Sequence, residues 1–587
     1  MIIKKGKNNS TFFGKELFKN AKIFFSKLEW NKILKFILIF SIICTCLYVF
    51  MQFTLFITVD SSKYYTYLDY FRGEKSFGEW DTVRGFSFPL IIFLVTSIFG
   101  DNTTGVLIGF FLFYMGLIYF AYKIIKELLY DNELQRNQTK YWIMFIVLFV
   151  FNPLIIGYSH TLLTEAITPF FYMLFAYLCL KWNNCSFKKN KKQFIVISII
   201  LILISIFVWF IKQPYAPAVW SLIILTSILS GIANKSIRIF TEKFLCFIIC
   251  IVLTLGAIQG WNLFLVANGK TDIQENSSSS FLSQTLIGYT YHYRELPKEK
   301  FCNIDYIENS KISQQDKDKI KKLSQEKEDW CDYLKIYDVI DRKQQLIETE
   351  VIIQKSKLIN LSESISFMLK SITKHPDLVL NSYIENYLSI INLQKTNINN
   401  NHYSSDGVLS SEVTHENAAI GYAVFNPNYK NCWWLWQYDT PLNSELLELS
   451  TGMENYESNM DNNRTLSTIM QILQDGSDLT FKILLLFCLP IFMYSLIMII
   501  YHRENKSYFI LALLSGASFA HIMFHSMMSA IIDRYAYPVY PLMLVCLIIL
   551  LMDKSRNNQL QLVQNTKNKK RSDKNETKKN RKEKIRR

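Results

Sequence analysis

The stretch FSFPLIIFLVTSIF, residues 86–99, decides how the chain is threaded. It carries no charge, yet its 14 residues fall short of the roughly 20 that a helix needs to cross a bilayer. If it did cross, every later loop would change sides and the Lys-rich loop 181–193 would face outward. It therefore reads as a helix lying at the outer surface, after a polar stretch that begins at Asp60.

Working outward, apolar blocks at 33–57, 104–122, 141–157, 163–180, 194–211, 215–231, 244–266, 479–500, 508–527 and 535–552 read as spans. The fold class expected is an all-α polytopic membrane protein of about ten transmembrane helices. With the N-terminus inside, the short inner loops 123–140, 181–193, 232–243 and 501–507 hold fourteen Lys and Arg. The outer segments 58–103, 158–162, 212–214 and 528–534 hold six, so one orientation satisfies every loop. The organisation that follows is a basic cytoplasmic N-terminus 1–32, a membrane domain 33–266 with outer loop 58–103, and an extracytoplasmic segment 267–478. Membrane helices 479–552 and a basic, disordered cytoplasmic tail 553–587 complete it. The long segment between helices 7 and 8 looks mainly helical, with amphipathic patterns at 311–329, 333–357 and 361–392.

Composition agrees. Of 587 residues, 50% are hydrophobic, 15% aromatic and only 19% charged, with mean hydropathy +0.13, where a soluble chain carries about a quarter charged residues. That excludes a soluble enzyme, a collagen-like or disordered chain and a secreted disulfide scaffold. The net charge of +15 is concentrated in the two tails, at +6 for 1–32 and +10 for 553–587. Each tail abuts a membrane helix, which favours retention at the cytoplasmic face and attraction to anionic lipid over nucleic-acid binding. Eight of the eleven Cys lie in or beside apolar helices. Cys302 and Cys331 are either a bridge or two free thiols, and no zinc spacing is present. The first apolar block is too long for a signal-peptide core and reads as an anchor. The Lys, Ile and Asn bias suits a low-GC Gram-positive bacterium.

The ionisable residues near outer span ends carry the chemistry. They are Asp60, Arg84, Glu165, Lys212, Asp533 and Arg534, six charges far apart in sequence at one depth on one face. Taken singly, such a charge is usually solvated or snorkelling. Taken together, a carboxylate there can serve as general base while Lys and Arg hold a phosphate. His160, in the turn before Glu165, is a functional candidate because a neighbouring acid can orient it. His521 and His525, spaced i, i+4, are either a metal pair lacking a third ligand or a packed, cavity-lining pair. The cluster at 432–436, CWWLW, either stacks on sugars, rests on the bilayer interface or belongs to a core.

Four stretches in order carry a family resemblance: VDSSKYYTYLDYFRGE from 59 with RGFSFPLIIFLVTSIFGDNT at 84–103, NPLIIGYSHTLLTEAI at 152–167, FIKQPYAPAVW at 210–220 and DRYAYPVYPLML at 533–544. Together they resemble the GT-C glycosyltransferases, in particular the group of protein mannosyltransferases and lipid A aminoarabinose transferases. In that superfamily an acidic residue follows the first helix, an Asn-Pro and a Thr-Glu mark the turn between helices three and four, and an Arg-Pro ends helix five. The chain departs from the pattern at Ser87-Phe88-Pro89, at Lys212 in place of Arg, and in placing its large outer segment before the last three helices.

The resemblance implies a polyprenyl-phosphate-linked sugar as donor, an envelope acceptor (glycan, lipid or protein) and transfer at the outer face. Asp60 would be the base that activates the acceptor, and Glu165 a second acid orienting the acceptor or a basic partner. Lys212 and Arg534, with Arg84, would bind the lipid phosphate; beside the resemblance, His160 and Tyr535 are read as further substrate-binding residues. No cofactor is expected beyond the lipid-linked sugar, with a divalent metal not required. No dinucleotide fingerprint and no P-loop is present. The competing readings are a polysaccharide polymerase or ligase with a lipid-diphosphate donor, a lipid or solute transporter, and a non-catalytic envelope protein. A transporter is expected to show internal repeats and midplane charges, which the chain does not display.

Overall fold

The computed structural model describes residues 30–53, 55, 59–80, 84–128, 138–188, 190–270, 464–502, 505–526 and 533–552, with isolated positions between 314 and 391. The expectations for the tails, Cys302 and Cys331, residues 333–357 and residues 432–436 lie outside these residues. Among the described residues the chain is helical throughout, with no strand. It divides into two units, Met1–Gln52 and Phe53–Arg587. The first contains helix α1, Trp30–Met51, whose C-terminal part Phe40–Met51 is apolar.

In the second unit α2 (Val59–Thr66), α3 (Leu68–Arg72) and a 3-10 turn Phe77–Glu79 precede α4, Ser87–Phe99. Helix α4 is the short apolar element expected at 86–99, and at 13 residues it is not among the spanning candidates. It folds back on α5, Thr103–Lys126, after a turn in which Gly100 takes φ +101° and the Asn102 side chain caps α5 by accepting from Gly105 N. Arg72 and Tyr65 both bond Asp101 in this turn, tying α2 and α3 to it.

The block read as one span at 141–157 is broken. Helix α6, Gln138–Phe145, ends in a π-helical turn, Ile146–Val150, and α7, Pro153–Ser159, leaves it at 46°. The cause is local. Asn152 caps the new helix by accepting from Leu154 N and Ile155 N, and Pro153 suits the first turn because it has no N–H to satisfy there. Next come α8 (Thr164–Asn183), α9 (Lys191–Ile211), a 3-10 turn Gln213–Tyr215, α10 (Ala216–Asn234) and α11 (Ile237–Ala267).

The helix carrying the expected span 479–500 begins earlier, at Arg464. Helix α12, Arg464–Leu486, bends by 52° into α13, Cys488–Tyr501. Helix α14 is Lys506–Ser526, and a 3-10 turn Asp533–Val539 leads into the last helix, residues 540–552. Among the described residues six helices are long and apolar enough to cross a membrane, or up to eight if each bent pair is one span. The chain is thus a multi-pass membrane protein by length and apolarity. In the long hydrophilic segment, Gln314, Asp318, Lys321 and Gln325 are helical and exposed, four polar residues on one face as an amphipathic helix requires.

Candidate functional site

The four stretches that carry the family resemblance meet at one end of the second unit. Asn152 Nδ2 donates to the Tyr540 hydroxyl at 3.0 Å, and the Tyr158 and Tyr537 rings stack at 3.8 Å. These contacts hold the turn at 533–539 against α7 and the start of α8. Gly85 lies flush on the end of α9, where a Cβ would overlap the Phe210 carbonyl. Phe86 packs at 4.5 Å from the Phe210 ring and 4.6 Å from Trp261. Trp80 is fully buried beside Tyr67 and Leu265, and its indole donates to the Arg84 carbonyl at 3.0 Å. Trp80, Gly85 and Phe86 are therefore fixed onto the C-terminal ends of α9 and α11.

Within this frame Glu165 sits in the first turn of α8, where the helix dipole favours a carboxylate. It is buried, with 1% of its surface exposed. Its Oε1 lies 3.2 Å from Lys212 Nζ and 3.7 Å from Arg534 Nε, and accepts from the Tyr215 hydroxyl at 2.9 Å. Its Oε2 accepts from Thr164 Oγ1 at 2.9 Å. Lys212 also lies over the Tyr535 ring at 3.9 Å, with Arg534 5.5 Å from the same centroid. Among the described residues one carboxylate thus faces two cations.

This arrangement sets Glu165 beside two basic partners. A carboxylate that accepts three hydrogen bonds and lies 3.7 Å from a guanidinium is held to orient its partners. It fixes Lys212 and Arg534, the second of the two roles read for it. Arg84 stacks on the Tyr64 ring at 4.4 Å, and its neighbour Gly85 touches Phe210, two residues before Lys212. His160 closes α7, is fully buried, and bonds the Ile156 carbonyl through Nδ1 at 2.7 Å. Its ring meets Phe53 edge-on at 6.0 Å. Asp60 lies on α2 one turn before Tyr64, and the side chains of Asp60 and Asp533 are outside the described set. Farther along the same loop, Lys75 donates to Asp69 at 2.5 Å. That hydrogen bond raises the ammonium above the ordinary lysine value.

Sequence reasoning missed Tyr215, Tyr172 and Tyr64. Tyr215 follows Lys212 by three residues, so one 3-10 turn puts both on the same side. Tyr172 donates to the Tyr215 carbonyl at 2.8 Å and holds that turn onto α8. His521 joins through Nε2, 2.7 Å from the Tyr535 carbonyl, so that nitrogen carries the proton. Among the described residues no group of three or more His, Cys, Asp or Glu is placed to hold a metal.

No family model, no curated protein and no solved structure matches this chain.

Proposed function

We propose that this chain is a membrane glycosyltransferase of the GT-C type. It moves a sugar from a polyprenyl-phosphate donor to an envelope acceptor at the outer face of the membrane. Counting α1 and α8 as spans beside the eight gives ten, with both basic termini cytoplasmic and the Glu165 end of the bundle outside. The observation that carries the reading is the convergence of two cations, Lys212 and Arg534, on Glu165 beside the Tyr535 ring.

The chemistry follows from the charge. The donor is a phosphodiester-like anion whose sugar–phosphate bond breaks as the acceptor oxygen bonds the anomeric carbon. The leaving lipid phosphate gains negative charge as that bond breaks. Fixed cations at that oxygen therefore stabilise the transition state more than the ground state. Lys212 supplies a point charge and Arg534 a fork of donors, both held by Glu165 so that little reorganisation is needed. Asp60 takes the proton from the acceptor hydroxyl. The aromatic wall of Tyr64, Tyr215 and Tyr535 keeps bulk water from these charges and strengthens their action.

The test is transfer from a labelled polyprenyl-phosphate sugar in membranes containing wild type, Lys212→Gln or Arg534→Gln at matched expression. Transfer by wild type, reduced at least tenfold in either variant, supports the proposal. Equal transfer in all three, or none from phosphate donors with robust transfer from diphosphate donors, overturns it.

A further inference from the structure

The described residues include one buried histidine whose ring makes no hydrogen bond. His525, at the end of α14, is fully buried, and among the described residues neither Nδ1 nor Nε2 has a hydrogen-bond partner. The contrast with its neighbour is informative. His521, one turn earlier, is bonded through Nε2 to the Tyr535 carbonyl and lies 3.3 Å through Nδ1 from the Tyr172 hydroxyl. Leaving a buried polar atom unbonded costs about 1–3 kcal/mol. A ring with two such atoms is retained against that cost.

The surroundings identify the use. The His525 ring centroid lies 4.4 Å from that of His521, 5.2 Å from Tyr535 and 5.9 Å from Tyr215. Tyr535 is the ring over which Lys212 sits, and Tyr215 is the ring whose hydroxyl bonds Glu165. His525 therefore stands one aromatic ring away from the cationic cluster, on the same wall. A neutral imidazole presents one N–H donor and one nitrogen acceptor. A phosphate oxygen only accepts and would satisfy the donor alone. A sugar hydroxyl both donates and accepts, so a polyhydroxylated ring beside the bound phosphate matches both nitrogens.

We infer that His525 is a sugar-contacting residue, reading the hydroxyls of the glycosyl group whose phosphate is held by Lys212 and Arg534. This rests on the transferase reading above and deepens it. Among the described residues nothing bonds the ring, so the site gains most from a donor that carries its sugar. Bare lipid phosphate fills only the cationic part.

The experiment compares binding of polyprenyl phosphate, bare or bearing a hexose, an N-acetylhexosamine or a pentose, to the full-length protein in lipid nanodiscs. Wild type is expected to bind one glycosylated lipid roughly tenfold more tightly than the bare one, the equivalent of one good hydrogen bond. His525→Phe should lose that preference while binding the bare lipid as wild type does, and His525→Gln should recover part of it. The unliganded His525→Phe protein should melt no lower than wild type, since it removes buried unbonded polar atoms. A preference that survives His525→Phe overturns the inference, as does a lower melting point with both lipids weakened alike. If wild type binds the bare lipid with no gain for any sugar, the His525 inference fails while the phosphate reading stands. If wild type binds none of these lipids, both fail.

Discussion

Glu165 Oε1 and Lys212 Nζ stand 3.2 Å apart, joining the first turn of α8 to the residue that ends α9. The two are 47 positions apart in sequence. The pair exists because Tyr172 fixes the Gln213–Tyr215 turn to α8, and because the turn at 533–539 brings Arg534 to the other side of the same carboxylate. The relationship makes Glu165 the counter-ion of two buried cations, and its removal has a definite consequence.

Glu165→Gln removes the carboxylate that Lys212 and Arg534 share. The expected loss of stability is about 3–5 kcal/mol, the usual effect of removing one partner from a buried ion pair. The melting midpoint in detergent should drop by several degrees, and Glu165→Asp should drop less. A midpoint unchanged in Glu165→Gln would mean that water or other anions already compensate the two cations.

Tyr215→Phe removes one hydrogen bond to a charged acceptor but keeps the ring that packs against His521 and His525. Stability should fall by about 1–3 kcal/mol. The apparent KM for a lipid-phosphate donor should rise, because Lys212 loses part of its anchorage while the transfer step is untouched. Steady-state kinetics on both parameters check this, and a fall in kcat alone speaks against it.

Gly85→Ala places a methyl group into the Phe210 carbonyl, a clash with backbone that no rotamer change relieves. The outer loop should lift from the end of α9, with loss of stability and of any activity that needs Arg84 near Lys212. Gly256→Ala is the matching control: nothing lies within 4 Å of its Cβ position, so it should be neutral or slightly stabilising in a helix. Comparing the two variants by thermal unfolding and proteolysis of the loop tests whether close approach or mere helix propensity sets the role of Gly85.

Lys212→Arg should retain most function, since a guanidinium keeps the charge beside Glu165, and Arg is what the resemblance implies at this position. Lys212→Met, which keeps the stem and drops the charge, should raise the apparent KM for a phosphate donor by roughly tenfold or more. Equal kinetics in Lys212→Arg and Lys212→Met would place the anion elsewhere.

Much of the architecture was legible because membrane helices obey a length rule. Residues 86–99 were too short to span, and α4 is 13 residues. The blocks at 104–122, 194–211, 215–231 and 244–266 lie within Thr103–Lys126, Lys191–Ile211, Gln213–Asn234 and Ile237–Ala267. The charges at outer helix ends were legible because charge beside hydrocarbon is costly, and three of them, Glu165, Lys212 and Arg534, do converge. What was not legible depended on contacts between distant segments. An aromatic inside an apolar helix reads as packing until its partners are known, so Tyr172 and Tyr215 carried no signal of their own, while His525 showed only its i, i+4 spacing from His521. The break at Asn152-Pro153 was visible as a turn pair, but its 46° bend within one apolar block was not.

The most direct test of the central claim is transfer of label from a polyprenyl-phosphate sugar to endogenous acceptors, in membranes holding wild type, Asp60→Asn or Lys212→Gln at equal folded amounts. The account predicts transfer by wild type, its near abolition in Asp60→Asn with donor binding intact, and weakened donor binding in Lys212→Gln. Transfer that persists in both variants, or a wild type that moves no sugar from any such donor, would contradict it.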